Sequence, residues 1–297
     1  MIVYLDTKQQ FMEDVFSNFI ADKIKSILKD KMRIGVSPSE VAAWNNSLGY
    51  MQRIMNDPEI SGDVGIAIEF NIPQTSKRID FILTGMSQNY KRTAIIIELK
   101  QWEKVEATTK DGVVSTFIGG SHREVSHPSY QSWSYKALLE DFNEAVRSTP
   151  INVISCAYLH NCESEIEIKS PFYNAHLERS PSFLKSDAKK LQDFIKTHVK
   201  YGDKGDCMYL INRGQIIPSK SLADNLQNLL NGNQEFIMID DQKVVYETGI
   251  QLAIKSKGDR QKNVIIVKGG PGTGKSVVAV NLLVAAINNG MNARYVT

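Results

Sequence analysis

Asp80 and the tripeptide Glu98-Leu99-Lys100 have the residue types and spacing that could do chemistry. Asp80 lies in the run Arg78-Ile79-Asp80-Phe81-Ile82-Leu83, and Glu98 and Lys100 close the run Ala94-Ile95-Ile96-Ile97-Glu98-Leu99-Lys100. Both runs are short, apolar and rich in β-branched residues, with a polar turn between them. They predict the two strands of a hairpin, the second apolar enough to lie inside a sheet. Residues two apart on a strand share a face, so Glu98 and Lys100 point the same way, beside Ile96. A carboxylate and an ammonium on a buried strand are costly unless partnered, by each other or by a metal. Asp80 and Glu98 would offer hard oxygen ligands to Mg²⁺ or Mn²⁺. Such an ion polarises a scissile phosphate and lowers the pKa of an attacking water, as metal-dependent phosphodiester cleavage requires. Lys100 would orient that water or offset charge developing on the phosphate. The plainer alternative is a core strand with a satisfied Glu–Lys pair.

A second constellation follows near the end of the chain. Gly269-Gly270-Pro271-Gly272-Thr273-Gly274-Lys275-Ser276 fits G-x-x-x-x-G-K-S. Residues 263–268 predict a strand before it and residues 277–289 a helix after it, closed by Gly290. In that setting the loop's backbone N–H groups wrap phosphates, and the helix N-terminus favours negative charge. Gly270, Gly272, Thr273 and Gly274 would cradle ATP, Lys275 would reach its β- and γ-phosphates, and Ser276 would bind its Mg²⁺. Gln242, upstream, is a candidate adenine-reading amide. Residues 293–297 begin another strand, and the further strands and acid that ATP hydrolysis needs do not follow. The expectation is a fragment of a longer protein, or a naturally truncated one, that does not hydrolyse ATP by itself.

The elements that must position these residues are legible in outline. Residues 1–5 predict an edge strand. Residues 8–32 predict one helix, with Phe11, Phe16 and Phe19 on its core stripe. Ser37, Pro38 and Glu40 form a capping-box start for a helix reaching about Asp57. Glu40 has two roles open to it, the cap itself and an additional ligand or supporting acid for the Asp80 site. Residues 64–70 predict a strand, with Glu69 a surface or sheet-edge acid. Lys77, Arg78, Lys91 and Arg92 flank the hairpin and could contact phosphates. A small hairpin is expected around Asp111-Gly112. His127-Pro128 then starts a helix carrying Gln131 and Tyr135 on one face, four residues apart. That amide and phenol could hold a nucleic-acid strand and orient the metal site, or simply pack. Residues 151–159 predict a central strand, a helix starts near Asp187, and residues 208–212 predict a short strand. A last helix, 222–230, ends at Asn231-Gly232-Asn233, where a domain boundary is placed. The alternation of helices and strands predicts a layered α/β fold with a mixed central sheet flanked by helices.

The totals remove several classes. The chain has 297 residues, 42% hydrophobic and 23% charged, ordinary for a globular protein with one large or two modest domains. Its net charge of +2 means that any nucleic-acid surface must be local. The 3 cysteines form no C-x-x-C pair, which suits a reducing cytoplasm and gives neither a disulfide framework nor a zinc signature. His122 and His127 lack ligand spacing. No apolar run reaches the roughly 18–20 residues of a membrane span.

These motifs together carry a family resemblance. Residues from about 36 to 160 resemble a PD-(D/E)xK nuclease domain through Asp80 and Glu98-Leu99-Lys100, although Ile79 stands where a proline is usual. Gln131-Ser132-Trp133-Ser134-Tyr135 is similar to the Q-x-x-x-Y helix of the RecB-like branch, and Glu40 takes the place of its first-helix acid. Residues from about 234 onward resemble the start of a superfamily 1 helicase, with Gln242 as the Q-motif glutamine. The whole is similar to bacterial nuclease–helicase fusions that share a Schlafen-like helicase domain and often serve in anti-phage defence. The resemblance implies an N-terminal helical segment (1–35), a restriction-endonuclease-like nuclease domain (36–225) and the first part of a helicase P-loop domain (226–297). It implies metal binding by Asp80, Glu98, the Leu99 carbonyl and Glu40, and catalysis by Asp80, Glu98 and Lys100 with Gln131 and Tyr135 positioning the strand. The expected substrate is DNA, with RNA left open, in a cytoplasmic defence complex with a partner protein or further copies of the chain. Two rivals stand beside this: a nuclease-fold module that binds nucleic acid without cutting it, and a nucleotide-binding regulatory ATPase.

Overall fold

Thr7 ends the first strand and caps the first helix: its side chain accepts the Gln10 N–H, closing β1 (Tyr4–Thr7) against α1 (Lys8–Phe16). The structure, a computed structural model, describes residues 2–296 except 34, 73, 74, 76, 218–236, 260, 271 and 272. The expected helix at 222–230, its stop at 231–233 and the boundary placed there lie outside the described residues.

The predicted helix over 8–32 is two helices. α1 stops where Ser17 N–H closes on the Glu13 carbonyl and Asn18 takes a left-handed φ of 57°. Asparagine tolerates that conformation better than most residues. α2 (Ile20–Met32) then starts after Phe19 as a separate helix. The break corrects the expected stripe: Phe11 is buried, but Phe16 and Phe19 are 83% and 60% exposed. α3 (Pro38–Met55) begins with the expected capping box, Ser37 Oγ accepting from Glu40 N–H and Glu40 Oε2 accepting from Ser37 N–H.

A four-strand antiparallel meander comes next: β1, β2 (Gly65–Asn71), β3 (Arg78–Met86) and β4 (Arg92–Lys100) pair in chain order. A small antiparallel sheet of β5 (Val105–Ala107), β6 (Val113–Ile118) and β7 (Ser121–Ser126) follows, with its first turn around Asp111-Gly112 as expected. α4 (Pro128–Phe142) and the short α5 (Glu144–Ser148) lead to β8 (Asn152–Leu159), which pairs parallel to β4. α6 (Asn174–Arg179) and β9 (Ser182–Leu184) complete a six-stranded mixed sheet of order β1-β2-β3-β4-β8-β9.

Helices cover both faces of this sheet. α1, α2, α3 and α7 (Ala188–His198) pack on one, burying Phe11, Ile24, Met51, Leu191 and Ile195 against Ile66, Phe81, Ile95 and Ile97. α4 and α8 (Asp206–Arg213) pack on the other, where Tyr135, Leu139, Met208 and Ile211 meet Ile82, Ala94 and Ile96. The fold is therefore α/β with a mixed central sheet flanked by helices. α8 replaces the strand expected at 208–212. Gly205 starts it with a φ of 80°, and Cys207, Met208 and Ile211 bury one helical stripe. A short apolar run fits either period, and packing decides.

Two helices follow, α9 (Asp241–Asp259) and α10 (Lys275–Asn288), packed on each other. The strands expected at 263–268 and 293–297 do not form among the described residues, none of which has a ladder partner there. Val264 and Ile266 are 88% and 76% exposed. An isolated strand leaves its backbone donors and acceptors unpaired, so apolar composition alone does not make one.

Candidate functional site

Strand alternation builds the core of the site. Ile95 and Ile97 of β4 face α3, while Ala94 and Ile96 face α4. Glu98 and Lys100 continue the second row, as the period of two requires. Lys100 Nζ donates to Glu98 Oε1 at 2.7 Å and lies 5.2 Å from the centre of the Trp102 ring. Glu98 is 2% exposed, and its Oε2 is buried without a hydrogen-bond partner.

Asp80 joins this pair through an irregularity in the sheet. The β3–β4 ladder ends at Phe81–Ile97. One residue on, Asp80 Oδ2 accepts the Leu99 N–H at 2.8 Å, taking a donor that a regular ladder would have met with backbone. Alternation slips at the same point. Ile79 and Ile82 both belong to the α4 face, and Glu69, opposite Asp80 on β2, has a φ of 55°. The Asp80 carboxylate is half-buried and lines a cavity of about 130 Å³ with Trp44, Ser47, Glu69, Leu99 and Gln101.

The electrostatics follow from crowding acids in a dry place. Burial, then the charge of Asp80, holds the Glu98 carboxyl well above the ordinary carboxylate range. Burial raises Asp80 as well, against the pull of Lys100 and the Leu99 N–H. Burial alone would lower Lys100, but Glu98 and Asp80 outweigh it and keep the ammonium above its usual value.

Glu69 corrects the expected surface acid. It is 7% exposed, accepts from Trp44 Nε1 at 2.8 Å, and lies 3.0 Å from Arg78 Nη1. Burial and Asp80 push its carboxyl up to about 7, with Arg78 and Trp44 opposing them. Glu40 is engaged in its cap and stands 3.6 Å from Arg78 Nη2, so both acids share that guanidinium.

The helix start at His127-Pro128 forms as its residues predict, His127 Nδ1 accepting from Ser129 N–H at 3.1 Å. It sets Gln131 and Tyr135 against the sheet. Gln131 Nε2 donates to the Tyr135 oxygen at 2.9 Å, and Tyr135 OH donates to Asp240 Oδ2 at 2.7 Å. Burial, followed by Glu98 and Asp240, raises the Tyr135 hydroxyl far above its ordinary value, so it stays a donor. Lys77 Nζ stands 3.1 Å from Asp240 Oδ2 and 3.0 Å from Asp241 Oδ2. Asp240 is the residue that sequence reasoning missed. The charge of Asp240 acts on Asp80, Glu98 and Lys100 together. Its signal was faint: an acid two residues before Gln242, far from the hairpin in sequence.

At the second motif, Gln242 Oε1 accepts the Ile239 N–H at 3.1 Å and Nε2 donates to the Thr273 carbonyl at 3.0 Å. Gly274 has a φ of 77°, and a Cβ there would lie 2.3 Å from Gln242 Nε2. Lys275 Nζ donates to the carbonyls of Gly269 at 2.8 Å and Gly270 at 2.6 Å. Ser276 sits in the first turn of α10. Gly272 lies outside the described residues.

Among the described residues, no group of three or more His, Cys, Asp or Glu side chains is arranged to hold a metal ion. No helix among them is long and apolar enough to cross a membrane. Cys156, Cys162 and Cys207 are free and buried.

One comparison with known proteins gave a match. The family described as Schlafen group 3, DNA/RNA helicase domain, matches residues 262–297. That supports a Schlafen-like helicase region at this end of the chain, and with it a connection to nucleic acid. Neither the curated proteins nor the solved structures gave a match to this chain.

Proposed function

We propose that this chain is a metal-dependent nuclease that cleaves DNA, built on a restriction-endonuclease-like domain and joined to the first part of an ATP-driven, Schlafen-like helicase. The observation that carries the proposal is the Lys100–Glu98 contact of 2.7 Å beside an Asp80 carboxylate seated on Leu99 N–H. Asp80 lines a cavity where the β3–β4 ladder ends, and Lys100 and Glu98, on the α4 face of β4, act electrostatically on it.

The residues fit one divalent ion. Glu98 Oε2 is a buried acceptor without a donor, and burial beside Asp80 penalises its charge. A cation held by Asp80, Glu98 and the Leu99 carbonyl would relieve both. When bound, Mg²⁺ or Mn²⁺ polarises the phosphate and lowers the pKa of an attacking water. Lys100 stays charged and meets the attacking water or the charge that develops on the phosphate. Tyr135 and Gln131 fix the α4 side of the site and position the strand. Glu40 holds Arg78 against Glu69. In the motor region, Gln242, Gly270, Gly272, Thr273, Gly274, Lys275 and Ser276 bind ATP, and the motor feeds or gates DNA to the nuclease. Defence against phages is the biological setting we infer, in the cytoplasm, with a partner protein or further copies of the chain.

A second assignment, a nucleic-acid-binding module without cleavage, is favoured by the Lys100 ammonium occupying Glu98 Oε1. Linear and circular DNA incubated with the protein and Mn²⁺ separate the two. Cleavage that is lost in Asp80→Ala and Lys100→Ala supports the nuclease. Tight binding with no cleavage by the wild type supports the binding module.

A further inference from the structure

Asp240 links the two motifs physically. It precedes α9 with a left-handed φ of 44°, and its neighbour Ile239 gives its N–H to Gln242 Oε1. Aspartate tolerates that conformation better than most residues, but it remains uncommon, and the surrounding contacts fix it here. The restraints here are specific. The Asp240 carbonyl accepts from Ser126 Oγ at 2.8 Å, and Oδ2 takes the Tyr135 hydroxyl and the Lys77 ammonium. Oδ1 is buried without a hydrogen-bond partner, a costly state for a carboxylate oxygen. From the other side, Gln242 Nε2 reaches the Thr273 carbonyl in the glycine-rich loop. Hydrogen bonds and two peptide units therefore run without a gap from that loop to Tyr135.

We propose that Asp240 is a positioning residue for the Asp80–Glu98–Lys100 site, and that it makes this site respond to nucleotide bound at Gln242 and the glycine-rich loop. The coupling rests on the proposed function for the identity of both ligands. Its cause is competition for one amide. An adenine base that binds the Gln242 amide competes for the oxygen and the NH₂ group that the Ile239 N–H and the Thr273 carbonyl engage now, and weakens both bonds. The turn at Ile239-Asp240 then loses its outer restraint, and the Tyr135–Asp240 bond is free to shift. A ligand moves an equilibrium only through contacts that differ between the two states, and the Gln242 amide is that contact. By reciprocity, a ligand at the acidic site alters nucleotide affinity by the same factor, typically about 5- to 150-fold.

Amide hydrogen exchange on the full chain tests this without relying on cleavage. It is measured with and without a saturating non-hydrolysable ATP analogue, for the wild type, Asp240→Ala and Asp240→Asn. The analogue should change protection at residues 131–136 and 98–100 by about five-fold or more in the wild type. The response should vanish in Asp240→Ala and return in Asp240→Asn, which keeps an acceptor for Tyr135. A merely structural Asp240 would alter protection equally with and without the analogue. If Asp240→Ala fails to fold, loss of the response in Gln242→Ala at saturating analogue serves in its place. The proposal is overturned if the analogue does not bind, or binds and changes only residues beyond 238. Absence of DNA cleavage beside an intact exchange response would sink the nuclease assignment and leave the coupling; the reverse pattern would sink the coupling alone.

Discussion

Lys100 Nζ and Glu98 Oε1 stand 2.7 Å apart on one face of β4, and the other Glu98 oxygen is buried with nothing to accept from. Removing the amine leaves a buried carboxylate uncompensated, which typically costs 3–5 kcal/mol. Lys100→Met should therefore lower unfolding free energy by about 3 kcal/mol at pH 8. The loss should shrink at lower pH, because the already raised Glu98 carboxyl then takes a proton and becomes neutral. Urea unfolding at pH 8 and pH 6 measures this. An equal loss at both values would show that Glu98 does not carry the effect.

Glu69 offers a separate pH signature. Its carboxyl is pushed from the ordinary 4.5 up to about 7, chiefly by burial. Between those values the folded protein keeps a proton that the unfolded chain has released. The contribution to stability is whole below 4.5 and is lost as pH rises through about 7. The difference in unfolding free energy between wild type and Glu69→Gln should fall across that window. A flat difference would place Glu69 in a wetter setting than its contact with Trp44 implies.

Among the described residues, Lys275 bonds to the carbonyls of Gly269 and Gly270 and to the Thr273 hydroxyl, on an exposed surface. Lys275→Ala should leave stability within about 0.5 kcal/mol. Binding of a fluorescent ATP analogue should weaken at least about ten-fold, through loss of a charge-assisted phosphate contact. Unchanged anisotropy titrations would remove the nucleotide assignment from this loop.

Local signals were legible in the sequence, and long-range ones were not. The hairpin that brings Asp80 to Glu98, the capping box at Ser37 and Glu40, and the helix start at His127-Pro128 each rest on residues within a few positions. The break at Asn18 was hidden because the apolar spacing continues across it, and only the left-handed φ and the exposure of Phe16 and Phe19 reveal it. α8 was read as a strand because five residues cannot separate two periods. Glu69 looked like a surface acid because nothing nearby announces Trp44 or Arg78. Asp240 meets Tyr135 across 105 positions, and no periodicity reports a contact of that kind.

Single-turnover cleavage of end-labelled DNA in Mn²⁺, wild type against Glu98→Gln, asks the central question. Glu98→Gln keeps the shape and the Lys100 contact but removes the charge that would bind the ion. The account predicts cleavage by the wild type and a loss of about 100-fold or more in the variant, with DNA affinity preserved at a temperature where both proteins are folded. Equal rates in the two proteins, or no cleavage by a wild type that binds DNA and is folded, would contradict it.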